Sequence, residues 1–277
     1  MSDLGLAASV FSYVLAFLAV SLGLSELVHS TINFFSPEGS LVYGLSFSIL
    51  VATLTALFRR LDRHPPVLGL TTRLGLAPAL ASGMLLGAFA VAIVVLAQWA
   101  LGYVVVGGLQ TGRGPWRVFL ASLARNPGIA FGEELAFRGH LLGRLSEQVG
   151  FKAAAFLSSF LFASCHFRVN GFSPAAFVGL MFLGLVLAGF ARRTGALWVP
   201  IGFHATWNIT QSGVFGLSML DSRRHGQGLV ALEQRGPIAL VGAGSLPEGG
   251  LVMISVLAVS TLLVLSMRRE APGANAP

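Results

Sequence analysis

Long apolar stretches limit what this chain can fold into. A helix must contain about 20 mainly apolar residues to cross the hydrocarbon core of a bilayer. Five stretches of the sequence meet this requirement: 5–24, 41–58, 80–106, 174–191 and 249–267. Three further segments have a similar length but carry polar side chains: 127–146, 151–170 and 195–215. Together these segments predict about eight transmembrane helices.

The composition indicates that lipid surrounds most of the chain. Of the 277 residues, 55% are hydrophobic and 10% are charged, whereas soluble domains carry roughly 25% charged residues. We therefore expect an all-α polytopic membrane protein, with residues 1–277 forming a single domain in the lipid bilayer. The net charge of +7 comes from short basic clusters between apolar stretches, so no nucleic acid partner is expected. The single Cys165 excludes an intrachain disulfide.

The distribution of basic residues predicts an orientation. With eight spans, both termini share one side of the membrane with the basic segments 59–73, 144–152, 192–193 and 268–269. The positive-inside rule makes that side cytoplasmic. We expect a bacterial cytoplasmic (inner) membrane, because the sequence has no eukaryotic targeting motif. Residues 216–248 are predicted to form a long loop on the opposite side, and 268–277 a short disordered tail.

The ends of the fourth span can also be predicted. Pro127 is expected to begin it, because proline is favoured as the first residue of a helix. Residues 116–125 are then expected to form a short separate helix at the membrane interface. Toward the other end of the span, His140 and Arg144 are expected to anchor the helix at the interface.

Two carboxylates, Glu133 and Glu134, and one guanidinium, Arg138, lie inside this fourth span. A charge at mid-bilayer costs about 2.5–3.5 kcal/mol on insertion scales, so such residues usually have a partner or a function. Residues four apart share a helix face, so Glu134 is expected to pair with Arg138. Glu133 lies about 100° around the helix and is left available as a general base. We expect Glu134 and Arg138 to orient the site, although they could also serve helix packing alone.

Two other predicted spans carry histidine. His166 follows Phe162 by four residues, and His204 precedes Asn208 by four. An imidazole and an amide on one helix face can stabilise a developing oxyanion. Helix rises counted from the nearest basic residues place Glu133, His166 and His204 roughly 16–21 Å deep, in one layer. This predicts a polar catalytic cavity between helices 4, 5 and 7.

Three motifs occur in order on these separately predicted helices: EExxxR, FxxxH and HxxxN. The pattern resembles the CPBP family of intramembrane peptidases, which includes the type II CAAX prenyl endopeptidases and the bacteriocin-processing and immunity proteins. The motif region covers about 116–215. The residues that match the motifs are Glu133, Glu134, Arg138, Phe162, His166, His204 and Asn208.

The resemblance implies an intramembrane endopeptidase that cleaves a peptide or protein substrate near a membrane-associated terminus. In such an enzyme Glu133 and His166 activate a water, while His204 and Asn208 stabilise the tetrahedral oxyanion. Members of the family have been described both as metalloproteases and as metal-free glutamate enzymes. Glu133, His166 and His204 could supply the ligands of a divalent metal such as zinc. The sequence has no HExxH motif, and we favour water activation without a metal cofactor.

Two other functions fit the same residues. An ion- or proton-coupled transporter would use Glu133 and the histidines as a relay. A non-catalytic immunity protein would keep the cavity as a peptide-binding site. In the enzyme, Phe137, Phe162 and Trp207 are candidates to line the substrate cleft. Cleavage of a peptide distinguishes the peptidase from both alternatives.

Overall fold

The computed structural model describes residues 3–33, 36–62, 65–166, 173–217, 227–242 and 247–267. These residues are mainly helical. The α-helices are α1 (Asp3–Thr31), α2 (Pro37–Leu61), α3 (Leu76–Ala100), α4 (Arg113–Glu134), α5 (Leu142–Cys165), α6 (Pro174–Thr194), α7 (Trp198–Asn208), α8 (Ile238–Val241) and α9 (Leu251–Ser266). The other elements are the π-helical segments π1 (Leu135–Leu141) and π2 (Ile209–Val214), the strands β1 (Val104–Leu109) and β2 (Val230–Gln234), and a 3-10 turn at Pro247–Gly249.

The all-α polytopic membrane fold is confirmed. Among the described residues, five helical runs are long and apolar enough to cross a membrane: Ala7–Thr31, Pro37–Leu61, Leu76–Ala100, Arg113–Cys165 and Pro174–Thr194. The fourth run contains both the predicted fourth and fifth spans, which meet at Gly150, where φ is 74°. Residues 167–170 of the predicted fifth span lie outside the described residues. The seventh predicted span corresponds to α7 and π2, and α9 is a shorter apolar helix, so the number eight stays a prediction.

The third predicted span extends too far. Helix α3 ends at Ala100, and Val104–Leu109 instead forms strand β1, which pairs antiparallel with β2. Gly102 has a φ of 74°, a conformation that glycine adopts without strain, and the three valines that follow favour an extended backbone. The prediction of a loop for 216–248 was therefore incomplete. Its residues 218–226 and 243–246 lie outside the described part of the chain, as does the predicted tail 268–277.

The predicted boundary at Pro127 is wrong. Helix α4 runs without a break from Arg113 to Glu134 with Pro127 inside it, so 116–125 is not a separate helix. Proline is tolerated inside membrane helices where side chains and neighbouring helices supply other hydrogen bonds. The carbonyl that loses its usual partner at Pro127 is that of Leu123. On either side of it, Asn126 Nδ2 donates to the Ser122 carbonyl at 2.9 Å, and Ser48 Oγ of α2 donates to the Gly128 carbonyl at 3.1 Å.

Glycines allow the helix backbones to approach closely. Helix α3 packs against α7, where a Cβ atom at Gly83 or Gly202 would collide with backbone atoms of the facing helix. Helices α2 and α4 cross in the same way at Gly44 and Gly128. Small residues at such crossings are a common means of packing helices in lipid, where no hydrophobic effect drives the association.

His140 and Arg144 are not interfacial anchors. Both side chains are buried, and Arg144 Nε lies 2.8 Å from Asp62 Oδ2 at the end of α2. The His140 ring lies against Tyr13 of α1, with 4.3 Å between ring centroids, and Tyr13 also hydrogen-bonds Thr55 at 2.7 Å. These contacts join α1 and α2 to the beginning of α5, so the two residues serve helix packing.

The α3–α7 crossing can be tested by adding one methyl group. Gly83→Ala places a Cβ against the Val199 and Phe203 backbones, and overpacking of this kind costs about 1–3 kcal/mol. We expect a lower melting temperature in detergent. Gly23→Ala is the matched control, because no atom lies within 4 Å of its added Cβ. Equal melting temperatures for both variants would show that the crossing is looser than described.

Candidate active site

A cavity of about 440 Å³ lies between the helices at the level of the motifs. Its lining includes all four residues predicted to be catalytic, Glu133, His166, His204 and Asn208. Besides α4, α5 and α7, its walls include residues of α1, α2, α6, π2 and the 3-10 turn. The cavity is therefore bounded by more of the chain than the three helices named by the sequence prediction.

Glu134 lies beside this cavity with its side chain fully buried. Its Oε1 accepts hydrogen bonds from Arg138 Nη1 at 2.9 Å and from His204 Nδ1 at 2.8 Å. Arg138 also donates to the Gly184 carbonyl of α6 at 3.2 Å, and its guanidinium carbon lies 4.4 Å from the centroid of the Phe162 ring. The Glu134–Arg138 pair thus has the expected geometry, whereas the contact with His204 was not anticipated.

Glu133 is turned from Glu134 toward the cavity. Its Oε2 lies 3.6 Å from His204 Nε2 and has no hydrogen-bond partner among the described residues. The His204 ring therefore has one carboxylate at each nitrogen. Because Glu134 occupies Nδ1, Nε2 is the nitrogen that faces Glu133, and the ring orientation is fixed in the way that carboxylates fix histidines in other sites.

His166 directly follows Cys165, the last residue of α5, and caps this helix. Its Nδ1 donates to the Phe162 carbonyl at 2.8 Å, so Nε2 is the ring nitrogen left for a ligand. The Phe162 ring centroid lies 4.6 Å from that of His166 and 5.9 Å from that of His204. The fully buried phenylalanine of the FxxxH motif therefore sets the position of both imidazoles.

The remaining predicted residues divide into two groups. Asn208 lies at the end of α7, and its carbonyl accepts from Ser212 Oγ at 2.6 Å. Phe137 and Phe162 line the cavity. Trp207 is not among the residues that line it, and its fully buried ring stacks on Phe203 with 5.8 Å between centroids.

Glu133, His166 and His204 do not fit the proposed zinc site. Among the described residues, no group of three His, Cys, Asp or Glu side chains is arranged to hold a metal ion. We therefore derive no catalytic step through a metal.

Sequence reasoning missed two buried polar residues of the cavity, Gln211 and Glu248. Gln211 Nε2 donates to Glu248 Oε1 at 2.8 Å, and both residues line the cavity. Gln211 could have been found, because it lies seven residues after His204 and so on the same helix face. Glu248 could not, since it lies in a segment that carries no recognisable pattern and had been taken for part of a loop.

Glutamate 134 should be essential for stability. Glu134→Gln leaves Arg138 buried without its counter-charge and weakens the bond to His204, and breaking a buried pair in this way costs about 3–5 kcal/mol. We expect a clear fall in melting temperature in detergent. Glu233→Gln, which removes an exposed ion pair with Arg235, should leave it unchanged. A Glu134→Gln protein that is as stable as the wild type but inactive would assign Glu134 to the chemistry instead.

Burial of Glu248 should make stability depend on pH. Desolvation raises the pKa of its carboxyl from 4.5 to about 7, so the unfolded chain loses this proton first. The protonated form contributes fully below pH 4.5, and its contribution falls as pH rises toward 7, by roughly 3 kcal/mol at 1.4 kcal/mol per pKa unit. Melting temperatures measured from pH 4 to 8 should fall with rising pH in the wild type and fall less in Glu248→Gln. Parallel curves for the wild type and the variant would refute a raised pKa at Glu248.

The motif-bearing region also matches a known family. A family model described as Type II CAAX prenyl endopeptidase Rce1-like matches residues 115–210, about a third of the chain. No curated protein matches the chain. The matched region extends from α4 to π2 and contains Glu133, His166, His204 and Asn208. The long apolar helices indicate an integral membrane protein, and the match shows that residues 115–210 are similar to the type II CAAX prenyl endopeptidases of the CPBP family.

Proposed function

We propose that this protein is an intramembrane endopeptidase that cleaves a peptide bond near a membrane-associated terminus of its substrate. The observation that carries the proposal is the placement of Glu133 in the cavity, with its Oε2 3.6 Å from His204 Nε2 and without a hydrogen bond to any of the described residues. The basic segments support an orientation with both termini on the cytoplasmic side. We place the protein in a bacterial cytoplasmic membrane because its sequence has no eukaryotic targeting motif.

The proposed reaction begins with a water held between Glu133 and His166. The Glu133 carboxylate takes a proton from this water as its oxygen attacks the carbonyl carbon of the scissile bond. The tetrahedral oxyanion then accepts hydrogen bonds from His204 Nε2–H and the Asn208 amide. Collapse of this intermediate breaks the C–N bond, and Glu133 returns its proton to the departing amine, which restores the carboxylate.

Glu134 supports these reaction steps without touching the substrate. Its hydrogen bond to His204 Nδ1 directs Nε2 into the cavity. To donate to the oxyanion, Nε2 must carry a proton while Nδ1 keeps its own, so the ring is positively charged at that step. Glu133 carries the proton taken from the water at that step, so the ionised Glu134 and the oxyanion itself compensate this imidazolium charge and hold the donor in place.

The test is cleavage of a fluorogenic apolar peptide by purified protein in detergent or nanodiscs. We expect Glu133→Gln to lower kcat/KM by about 10²–10⁴-fold, as for loss of a general base. We expect Asn208→Ala to lower it by about 10²–10³-fold, as for loss of an oxyanion donor. Glu233→Gln, an exposed carboxylate on β2, is the control. Undiminished cleavage by Glu133→Gln would refute the mechanism.

Two further arms of this assay address the alternatives. Each protein is assayed with a chelator and after chelator removal with added zinc, and we expect the same rates in both. A rate that depends on zinc would replace water activation by Glu133 alone with a metal mechanism. Flux of protons or ions into proteoliposomes that is abolished by Glu133→Gln, in the absence of any peptide cleavage, would instead identify a transporter.

A further inference from the structure

A second carboxylate faces the cavity in addition to the proposed general base. From its surroundings, we infer that Glu248, held by Gln211, binds a basic side chain of the peptide substrate, lysine or arginine, close to the scissile bond. This inference rests on the proposed function and gives the substrate class of that same site.

Glu248 has unused capacity to accept hydrogen bonds. Its side chain is fully buried, and Oε1 accepts from Gln211 Nε2 at 2.8 Å. Oε2 is buried without a hydrogen-bond partner in the described part of the chain. A carboxylate offers about four acceptor positions, and a buried one left unsatisfied is costly. A donor supplied by the substrate would remove this cost.

The backbone that carries Glu248 is tightly packed. A Cβ at Gly179 of α6 would collide with the Glu248 carbonyl, and one at Gly250 would collide with Val241 of α8. Gly249, between them, lies against Ala176. The carboxylate is therefore fixed on a rigid support, which is what a binding site needs to select a side chain by its charge and geometry.

The charges around the cavity favour a cation. Among the described residues that line it, three carry carboxyl groups, Glu26, Glu133 and Glu248, and one carries a guanidinium, Arg125. Burial raises the pKa of Glu248, and a cation bound beside it favours its ionised form. Glu134 does not alter this balance, because Arg138 neutralises it. An enclosed site with an excess of one sign concentrates ligands of the opposite sign, so an acidic residue in the substrate would be repelled.

The position of the subsite follows from the helix that holds it. Gln211 lies seven residues beyond His204, which is roughly 10 Å along the axis at 1.5 Å per residue. An extended peptide covers this distance in about three residues, at 3.3 Å each. The basic residue should therefore lie within about three positions of the scissile bond.

Gln211 and Glu248 lie outside the region that matches the family model, which ends at residue 210. The residues proposed for bond cleavage lie inside it. The subsite is therefore a feature of this chain added to the chemistry of the family region, and it is expected to govern which peptides are cut and not how the bond is broken.

The test uses apolar peptides that carry one lysine, norleucine or glutamate, scanned through four positions on each side of the scissile bond. The quantity compared is the lysine-to-norleucine ratio of kcat/KM within each protein. At one position we expect a ratio of about tenfold or more for the wild type and for Glu233→Gln, expressed mainly in KM, as for a hydrogen bond to a charged group. We expect about 1 for Glu248→Gln and an intermediate ratio for Glu248→Asp, which keeps the charge.

The inference is overturned, and the proposed function left intact, if the wild type and Glu248→Gln cleave the peptides with the same lysine-to-norleucine ratio of kcat/KM at every position. If the wild type cleaves nothing, the proposed function is wrong. The inference is then decided by binding of the same labelled peptides, measured by fluorescence anisotropy on the wild type and on Glu248→Gln. A lysine preference that Glu248→Gln removes supports it, and equal preferences overturn it.

Discussion

One buried carboxylate holds the centre of this protein together. Glu134 accepts hydrogen bonds from Arg138 and His204 through the same oxygen, and Arg138 continues to a carbonyl of α6. A lone ion in this environment would be prohibitively costly, so each partner requires the others. Because α4, π1, α6 and α7 all contribute to this network, the position of His204 depends on how these helices pack. The active-site geometry is thus a property of the helix bundle.

The same network explains why two adjacent glutamates can have different roles. Glu134 is directed into the protein, where Arg138 and His204 both donate to its Oε1. Glu133 is turned toward the cavity, and its Oε2 has no hydrogen-bond partner among the described residues. The π1 segment begins directly after the pair, and such segments are frequent at functional sites. A carboxylate available for chemistry therefore lies beside one held by an arginine and a histidine in a single turn of helix.

Local patterns made much of this arrangement predictable. The length of the apolar stretches predicted the membrane fold, and the i, i+4 rule predicted the Glu134–Arg138 pair, since both depend only on neighbours in sequence. The uninterrupted helix through Pro127, the strand at Val104–Leu109 and the bond between His204 and Glu134 depend on contacts between distant segments. Such contacts leave no periodic signal in one sequence, and for this reason Glu248 was mistaken for a loop charge.

The origin of the cavity walls bears on how such a protein can change its substrate. The residues proposed to break the bond lie on α4, at the end of α5 and on α7, inside the family-matched region, and Glu134 locks His204 among them. Much of the remaining lining comes from α1, α2 and the turn at Pro247–Gly249, which lie outside that region and contribute nothing to the lock. Substitutions there can alter the charge and shape of the cavity without disturbing His204. Selectivity can therefore vary while the chemistry stays constant, because different segments of the chain control them.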